Sequence, residues 1–149
     1  MGSATSPGWL TAYLEAWNSH DPDQLLGCVT DDVVVDDKAM SERFEGKEGL
    51  RAALAGMVET FSSNFRLEQG ELLVSTDDTW AAEWIMTGIN DREDKAHGLP
   101  STGRPFTIRG LSIGRVRDGK VAEEHLYWNL AEYLQQIGLM PAAPEPATV

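Results

Sequence analysis

Catalytic chemistry has few places to reside in this chain. The sequence holds no Gly-rich phosphate loop, no His-x-Glu or His-Glu-x-x-His arrangement and no Cys-x-x-Cys pair, and its one Gly-x-Ser-x-Gly run, 110–114, falls inside a strand and so makes no nucleophile elbow. Their absence argues against nucleotide, zinc and covalent-serine chemistry. Proton transfer by carboxylates and tyrosine remains. Asp37 follows Val33 and Val35 at the strand period of two, so it shares their face, while Asp36 points the other way. A carboxylate among apolar neighbours loses hydration, which disfavours its charged form and makes it a stronger base. The competing assignment is a strand-end turn carboxylate that bonds local N–H groups.

Tyr13 lies on one helical stripe with Trp9 and Trp17, so its ring is expected inside and its hydroxyl needs a partner. Aimed into a pocket, that hydroxyl can donate to a developing oxyanion; otherwise it is a core tyrosine satisfied by a carbonyl or water. Farther on, Glu124, Leu126 and Trp128 share one face of a strand, and His125, Tyr127 and Asn129 share the other. Both faces mix polar and apolar types, so the pattern leaves open which one is concave and whether His125 is a general base or a sheet-face imidazole. His20 and His97 fall in loops and are expected to be solvated. Cys28 ends an apolar helical stretch and reads as a small core residue with no possible internal disulfide partner.

These residues need elements to position them. Ser6-Pro7 predicts a helix start with a capping hydroxyl, and the helix runs to about Asn18. Asp21-Pro22 repeats the signal for a short helix carrying Leu25 and Leu26. A strand follows over 32–37, an extended piece over 43–45, and an amphipathic helix over 47–62 with Leu50, Leu54, Met57, Val58 and Phe61 as its stripe. Strands over 65–75, 80–89, 105–116 and 120–128 come next, joined through Thr76-Asp77-Asp78 and Asp118-Gly119 turns, and antiparallel pairing is expected. The 90–104 connection is long and rich in Asp, Gly, Pro and Ser, which suggests a mobile rim or lid. A last amphipathic turn or two carries Leu130, Tyr133, Leu134 and Ile137 up to Gly138. Residues 1–7 are expected to form a flexible N-terminus, 8–140 one α+β domain, and 141–149 a disordered tail. In that domain a strongly curved sheet wraps around helices and leaves a hollow between them.

Composition narrows the partners. With 24 acidic against 12 basic residues the net charge is −12, which disfavours nucleic acid and anionic membrane surfaces. No basic-then-apolar leader and no run of about 18 apolar residues occurs, so a cytoplasmic location is expected. The sheet face carrying His125, Tyr127 and Asn129 needs cover, and a homodimer is expected to supply it.

Three segments of the amino half carry a resemblance: Ala12-Tyr-Leu-Glu-Ala-Trp-Asn-Ser-His-Asp21, Thr30-Asp-Asp-Val-Val-Val-Asp-Asp37 and Phe44-Glu-Gly-Lys-Glu-Gly-Leu-Arg51. Together they resemble the nuclear-transport-factor-2-like superfamily. Gly98-Leu-Pro-Ser-Thr-Gly-Arg104, Arg115-Val-Arg-Asp-Gly-Lys-Val121 and Tyr133-Leu-Gln-Gln-Ile-Gly138 are similar to its SnoaL-like polyketide-cyclase branch, over roughly residues 8–140. The resemblance implies a cone-shaped, cystatin-like fold. It also places Tyr13 and Asp37 where ketosteroid isomerases carry their oxyanion-binding tyrosine and general-base aspartate. Ser112 stands where that enzyme has a protonated aspartate. The SnoaL cyclases use a last-strand aspartate and a preceding-strand histidine, and limonene-epoxide hydrolases share that last-strand aspartate. Here those positions hold Leu126 and Ser112. The same alignment makes Glu124, Leu126 and Trp128 the concave face.

The resulting expectation is an isomerase or cyclase for a small hydrophobic polyketide-, terpenoid- or steroid-like substrate, working without metal or organic cofactor. Asp37 takes the proton, Tyr13 and Ser112 hold the oxyanion, and Glu124 relays a proton. Trp17, Met40, Trp84, Leu126 and Trp128 form the apolar wall, which suits a flat ligand. Epoxide opening, or ligand binding without turnover, are the alternatives.

Overall fold

The computed structural model describes residues 6–141. Most of the N-terminal segment and of the tail expected to be unstructured lies outside the described residues. Helix α1 (Gly8–Ser19) begins after Pro7, whose carbonyl accepts from Leu10 N at 3.0 Å. The Ser6 hydroxyl does not cap it as expected; it donates to Gln69 Oε1 at 2.8 Å and ties the helix start to the sheet. His20, in the left-handed region at φ 58°, ends the helix. Asp21 caps α2 (Pro22–Leu26) by accepting from Asp23 N at 3.0 Å.

Strand β1 (Val29–Asp37) starts three residues earlier than the valine run suggests, and β2 (Glu42–Glu45) folds back on it. Helix α3 (Gly46–Thr60) follows, then β3 (Arg66–Ser75), β4 (Thr79–Ile89), β5 (Pro105–Arg117), β6 (Lys120–Trp128) and α4 (Leu130–Gln136). The curved six-stranded sheet has the order β2-β1-β6-β5-β4-β3. Strands β3 to β6 pair antiparallel as hairpins must, but β1 joins β6 in parallel, a departure from the fully antiparallel expectation. No hairpin links β1 to β6, so nothing in the local sequence fixes their relative direction. The register sets Val35 against Glu124 and Asp37 against Leu126, which brings the inward residues of the two strands into phase.

The core fills the concave side. Leu10, Tyr13 and Trp17 of α1 and Leu50 and Leu54 of α3 are buried with Val33, Val35, Trp80 and Ile108 of the sheet. Beyond Leu54, the α3 stripe residues Met57 and Phe61 are only partly buried, because they face a hollow rather than a packed wall. Cys28 is half-buried rather than a core residue, its thiol lying 3.6 Å from the Gln24 carbonyl. Among the described residues no helix is long and apolar enough to cross a membrane.

Candidate active site

The hollow is a cavity of about 340 Å³ between α1, α3, α4 and the concave sheet face. That volume lies in the range of small-molecule sites. Tyr13, Asp37 and Glu124 line it, and so do Trp17, Met40, Trp84, Leu126 and Trp128. His125 and Tyr127 are on the opposite, convex face, where His125 bonds Glu123.

At the inner end four side chains form a directional chain. Trp84 lies across Gly110, its strand-pair partner, where an added Cβ would stand 2.2 Å from the indole. The indole thereby reaches Ser112, with Nε1 donating to Oγ at 2.8 Å. Indole nitrogen can only donate, so Ser112 must send its own proton onward. It goes to Glu124 Oε2 at 2.6 Å, and Tyr13 bonds the other oxygen, Oε1, at 2.5 Å. Ser112 is fully buried and is not among the cavity-lining residues, so it orients Glu124 instead of presenting a donor to a ligand. That corrects the oxyanion role suggested for it.

Burial pushes the Glu124 carboxyl up, against the lowering effect of its two hydroxyl donors. Burial, with Glu124 second, also holds the Tyr13 phenol well above its ordinary value. When Glu124 carries a proton, Oε2 is occupied by Ser112, so the proton sits on Oε1 and points to the Tyr13 oxygen. Tyr13 then turns its own proton to the cavity. As it stands the chain runs from Trp84 through Ser112 to Glu124, which also accepts from Tyr13 O–H, and only a proton on Glu124 reverses that last bond.

Asp37 occupies the middle of the wall, level with Leu126. Its Oδ1 accepts from Trp128 Nε1 at 2.9 Å and from the backbone N–H groups of Ala39 and Met40 at 3.1 and 3.2 Å. Asp37 is thus a turn carboxylate through Oδ1 and also lines the cavity, and its Oδ2 has no hydrogen-bond partner among the described residues. Desolvation raises the Asp37 carboxyl above its ordinary range, outweighing those three donors. Asp36, on the outer face, bonds Lys38 Nζ at 2.7 Å, which lowers it.

The 90–104 connection borders the mouth, with Asp94, Ala96, His97 and Leu99 lining the cavity. It is pinned: Asn90 and Arg104 are joined by a 2.8 Å backbone bond, and Asp94 and Leu99 bond each other twice. His97, expected to be solvated, reaches Asp94 Oδ2 at 2.6 Å and Glu42 Oε1 at 3.3 Å, linking the loop to β2. His20 is likewise engaged, bonding the Phe65 carbonyl at 3.0 Å and stacking on its ring at 4.2 Å. Sequence reasoning missed Asn90 and Tyr133 as cavity residues. Tyr133 lay on the apolar stripe of α4, and a polar residue following an apolar strand was the available signal for Asn90.

Comparisons with known proteins agree with this geometry. A family model, SnoaL-like polyketide cyclase, matches residues 9–137. A protein of ketosteroid isomerase-like fold from Catenulispora acidiphila, solved with trimethylamine, superposes with TM-score 0.78 at 21% identity, over 95% of this chain and 100% of its own. TsrD from Streptomyces laurentii gives 0.74 at 26%, covering 89% and 93%. A provisionally assigned polyketide cyclase from Xanthomonas campestris gives 0.72 at 27%, covering 87% and 94%. A comparison with curated proteins returns no match. With the family model spanning nearly all of its described residues, the chain belongs to the SnoaL-like polyketide cyclase family.

Proposed function

We propose that the protein is an acid–base isomerase or cyclase that acts on a small, flat, hydrophobic substrate of polyketide, terpenoid or steroid type. The observation that carries this reading is the meeting, in one apolar cavity, of Asp37, one of whose oxygens has no hydrogen-bond partner among the described residues, and Tyr13, bonded to a buried Glu124 whose carboxyl is pushed up by burial. A substrate carbonyl accepts from Tyr13 O–H. Asp37 Oδ2 removes a proton from the carbon next to that carbonyl, and the enolate oxygen is held by Tyr13, itself supported by Glu124. The proton on Asp37 then returns at another carbon, giving an isomer, or the enolate carbon attacks a second carbonyl and Asp37 gives its proton to the alkoxide that forms, giving a ring. Proton transfer and hydrogen bonding complete either cycle, so the reading needs no metal or organic cofactor. A positioned base contributes about 10²- to 10⁴-fold.

The family supports an enzyme of polyketide type, and a cytoplasmic place in secondary metabolism belongs to the same proposal. Exposure of Ile113 and Tyr127 on the convex face supports a homodimer formed there. The test is incubation with a panel of enolisable ketones and epoxides in deuterated water, read by NMR. Exchange or isomerisation next to a carbonyl, lost in Asp37→Asn, is the expected result. Epoxide opening without exchange would replace the reading by the hydrolase-type alternative, and binding without turnover would leave a ligand carrier.

A further inference from the structure

The cavity contains a second phenol. Tyr133, at 2% exposure, is clamped by Phe61, Phe106 and Trp128, with ring centroids 5.2, 5.3 and 6.0 Å away. Its hydroxyl meets Asn90 Nδ2 at 3.1 Å. The direction of that bond is fixed by what Asn90 does on its other side. Thr102 N–H, which can only donate, meets Asn90 Oδ1 at 2.6 Å, and the Thr102 hydroxyl meets the same oxygen at 3.1 Å. The amide therefore cannot flip, Nδ2 must donate, and the Tyr133 oxygen must accept. The Tyr133 proton is left over, and among the described residues it has no acceptor. A buried hydroxyl proton without an acceptor is costly unless something fills the space in front of it. Tyr133 and Asn90 both line the cavity.

Position separates this phenol from Tyr13. Tyr13 bonds Glu124, while Tyr133 packs on Trp128, four residues farther along β6, about 13 Å at the rise of a strand. Asp37, level with Leu126, lies between them. The cavity therefore carries two phenols set apart along β6, with Asp37, Glu124 and the loop's Asp94 also on its largely apolar wall.

We propose that Tyr133, oriented by Asn90, is a ligand-binding donor that receives a second oxygen of the substrate, a carbonyl, ether or hydroxyl, at the loop end of the cavity. The site selects flat molecules oxygenated at both ends over those with a single oxygen. Burial raises the Tyr133 phenol above its ordinary value, so it remains a donor throughout the neutral range. Asn90 is the positioning residue, and because its backbone also closes the 90–104 loop through Gly103 N at 2.7 Å and Arg104 O at 2.8 Å, the donor is set when the loop is closed.

This inference rests on the cavity being a ligand site, so the test measures binding and not turnover. Calorimetric affinities for 2-naphthol, with one oxygen, and 2,6-dihydroxynaphthalene, with one at each end, are compared in three proteins. The wild type is expected to bind the diol about 3- to 10-fold more tightly, the value of one hydrogen bond. Tyr133→Phe keeps the packed ring and should erase that preference while leaving 2-naphthol unchanged. Asn90→Asp retains an acceptor for Thr102 and offers the phenol a second one, which draws its proton away from the cavity. It too should erase the preference with the hydroxyl still present. Merely structural roles for these residues would change both affinities together. Equal preference for the diol in wild type and both variants, or no preference in the wild type, overturns the donor assignment and leaves the cavity reading intact. Failure of both probes to bind the wild type overturns the cavity reading and this inference with it.

Discussion

Asp36 and Asp37 are neighbours with the same side chain, yet the two faces of the sheet treat them in opposite ways. On the convex face Asp36 meets Lys38, Arg43 at 3.7 Å and His125 at 3.8 Å, and the hydrogen bond from the Lys38 ammonium above all holds its carboxyl down. On the concave face Asp37 meets an indole, two backbone N–H groups and apolar walls, and desolvation lifts it. The same alternation separates Glu123 and His125 from Glu124 one strand away. Which side of a strand a carboxylate occupies thus decides the direction of its shift, and the in-phase register of β1 and β6 collects two raised carboxylates, Asp37 and Glu124, in one hollow.

The largest effect that could break this contrast is on turnover. Asp37→Asn keeps the shape and removes the base, so turnover is expected to fall about 10²-fold or more, with unchanged folding by circular dichroism. Asp36→Asn, assayed alongside, should leave turnover intact; equal losses would mean that the faces are not distinct. Tyr13→Phe removes a donor but keeps the wall, and a cost of about 10- to 100-fold in kcat with little change in ligand affinity is expected from steady-state kinetics.

The pH dependence sharpens the contrast. In the proposed mechanism Asp37 works ionised and Glu124 protonated, so a bell-shaped pH profile of turnover is expected. Its acid limb lies above the ordinary aspartate value of 3.8, and its alkaline limb follows Glu124. Glu124→Gln retains the proton-like N–H and should remove the alkaline limb. Stability has its own sign. The folded state binds the Glu124 proton more tightly than the unfolded chain, so this contribution is complete below the ordinary 4.5 and is lost as pH rises towards the folded value. Asp36 acts in reverse, and its contribution is present above 3.8 and disappears as pH falls through its lowered value. Denaturant titrations of Glu124→Gln and Asp36→Asn across pH 3 to 9 should show the opposite slopes. The smallest effect concerns Ser112→Ala, which leaves Trp84 Nε1 and Glu124 Oε2 without their partner. A loss of about 1–3 kcal/mol in stability is expected, larger relative to wild type than any change in kcat.

Much of this was legible in the residues. The period of two separated Asp37 from Asp36, and the helical stripe placed Tyr13 inside, because burial repeats with the geometry of each element. The strand boundaries were legible for the hairpins, where turn residues mark them, and less so for β1, whose start precedes its valine run and whose parallel partner is far away in sequence. Whether Glu124 or His125 faced inward depended on the resemblance, since the strand mixes polar and apolar residues on both sides. The bonds of Ser112 could not be read from sequence at all. They depend on Trp84 lying over Gly110, a contact between two strands. Tyr133 and Asn90 were hidden for a similar reason: one sits on an apolar stripe, the other at a loop entrance, and only the closed loop brings them together.

The central claim is that the concave face turns an ordinary aspartate into a base, and carboxyl ¹³C NMR titration of selectively labelled aspartates tests it without any substrate. With Asp36→Asn and Asp37→Asn used to assign the two signals, the Asp37 midpoint should lie above 3.8 and the Asp36 midpoint below it. Coincident midpoints, or the reverse order, would contradict the account.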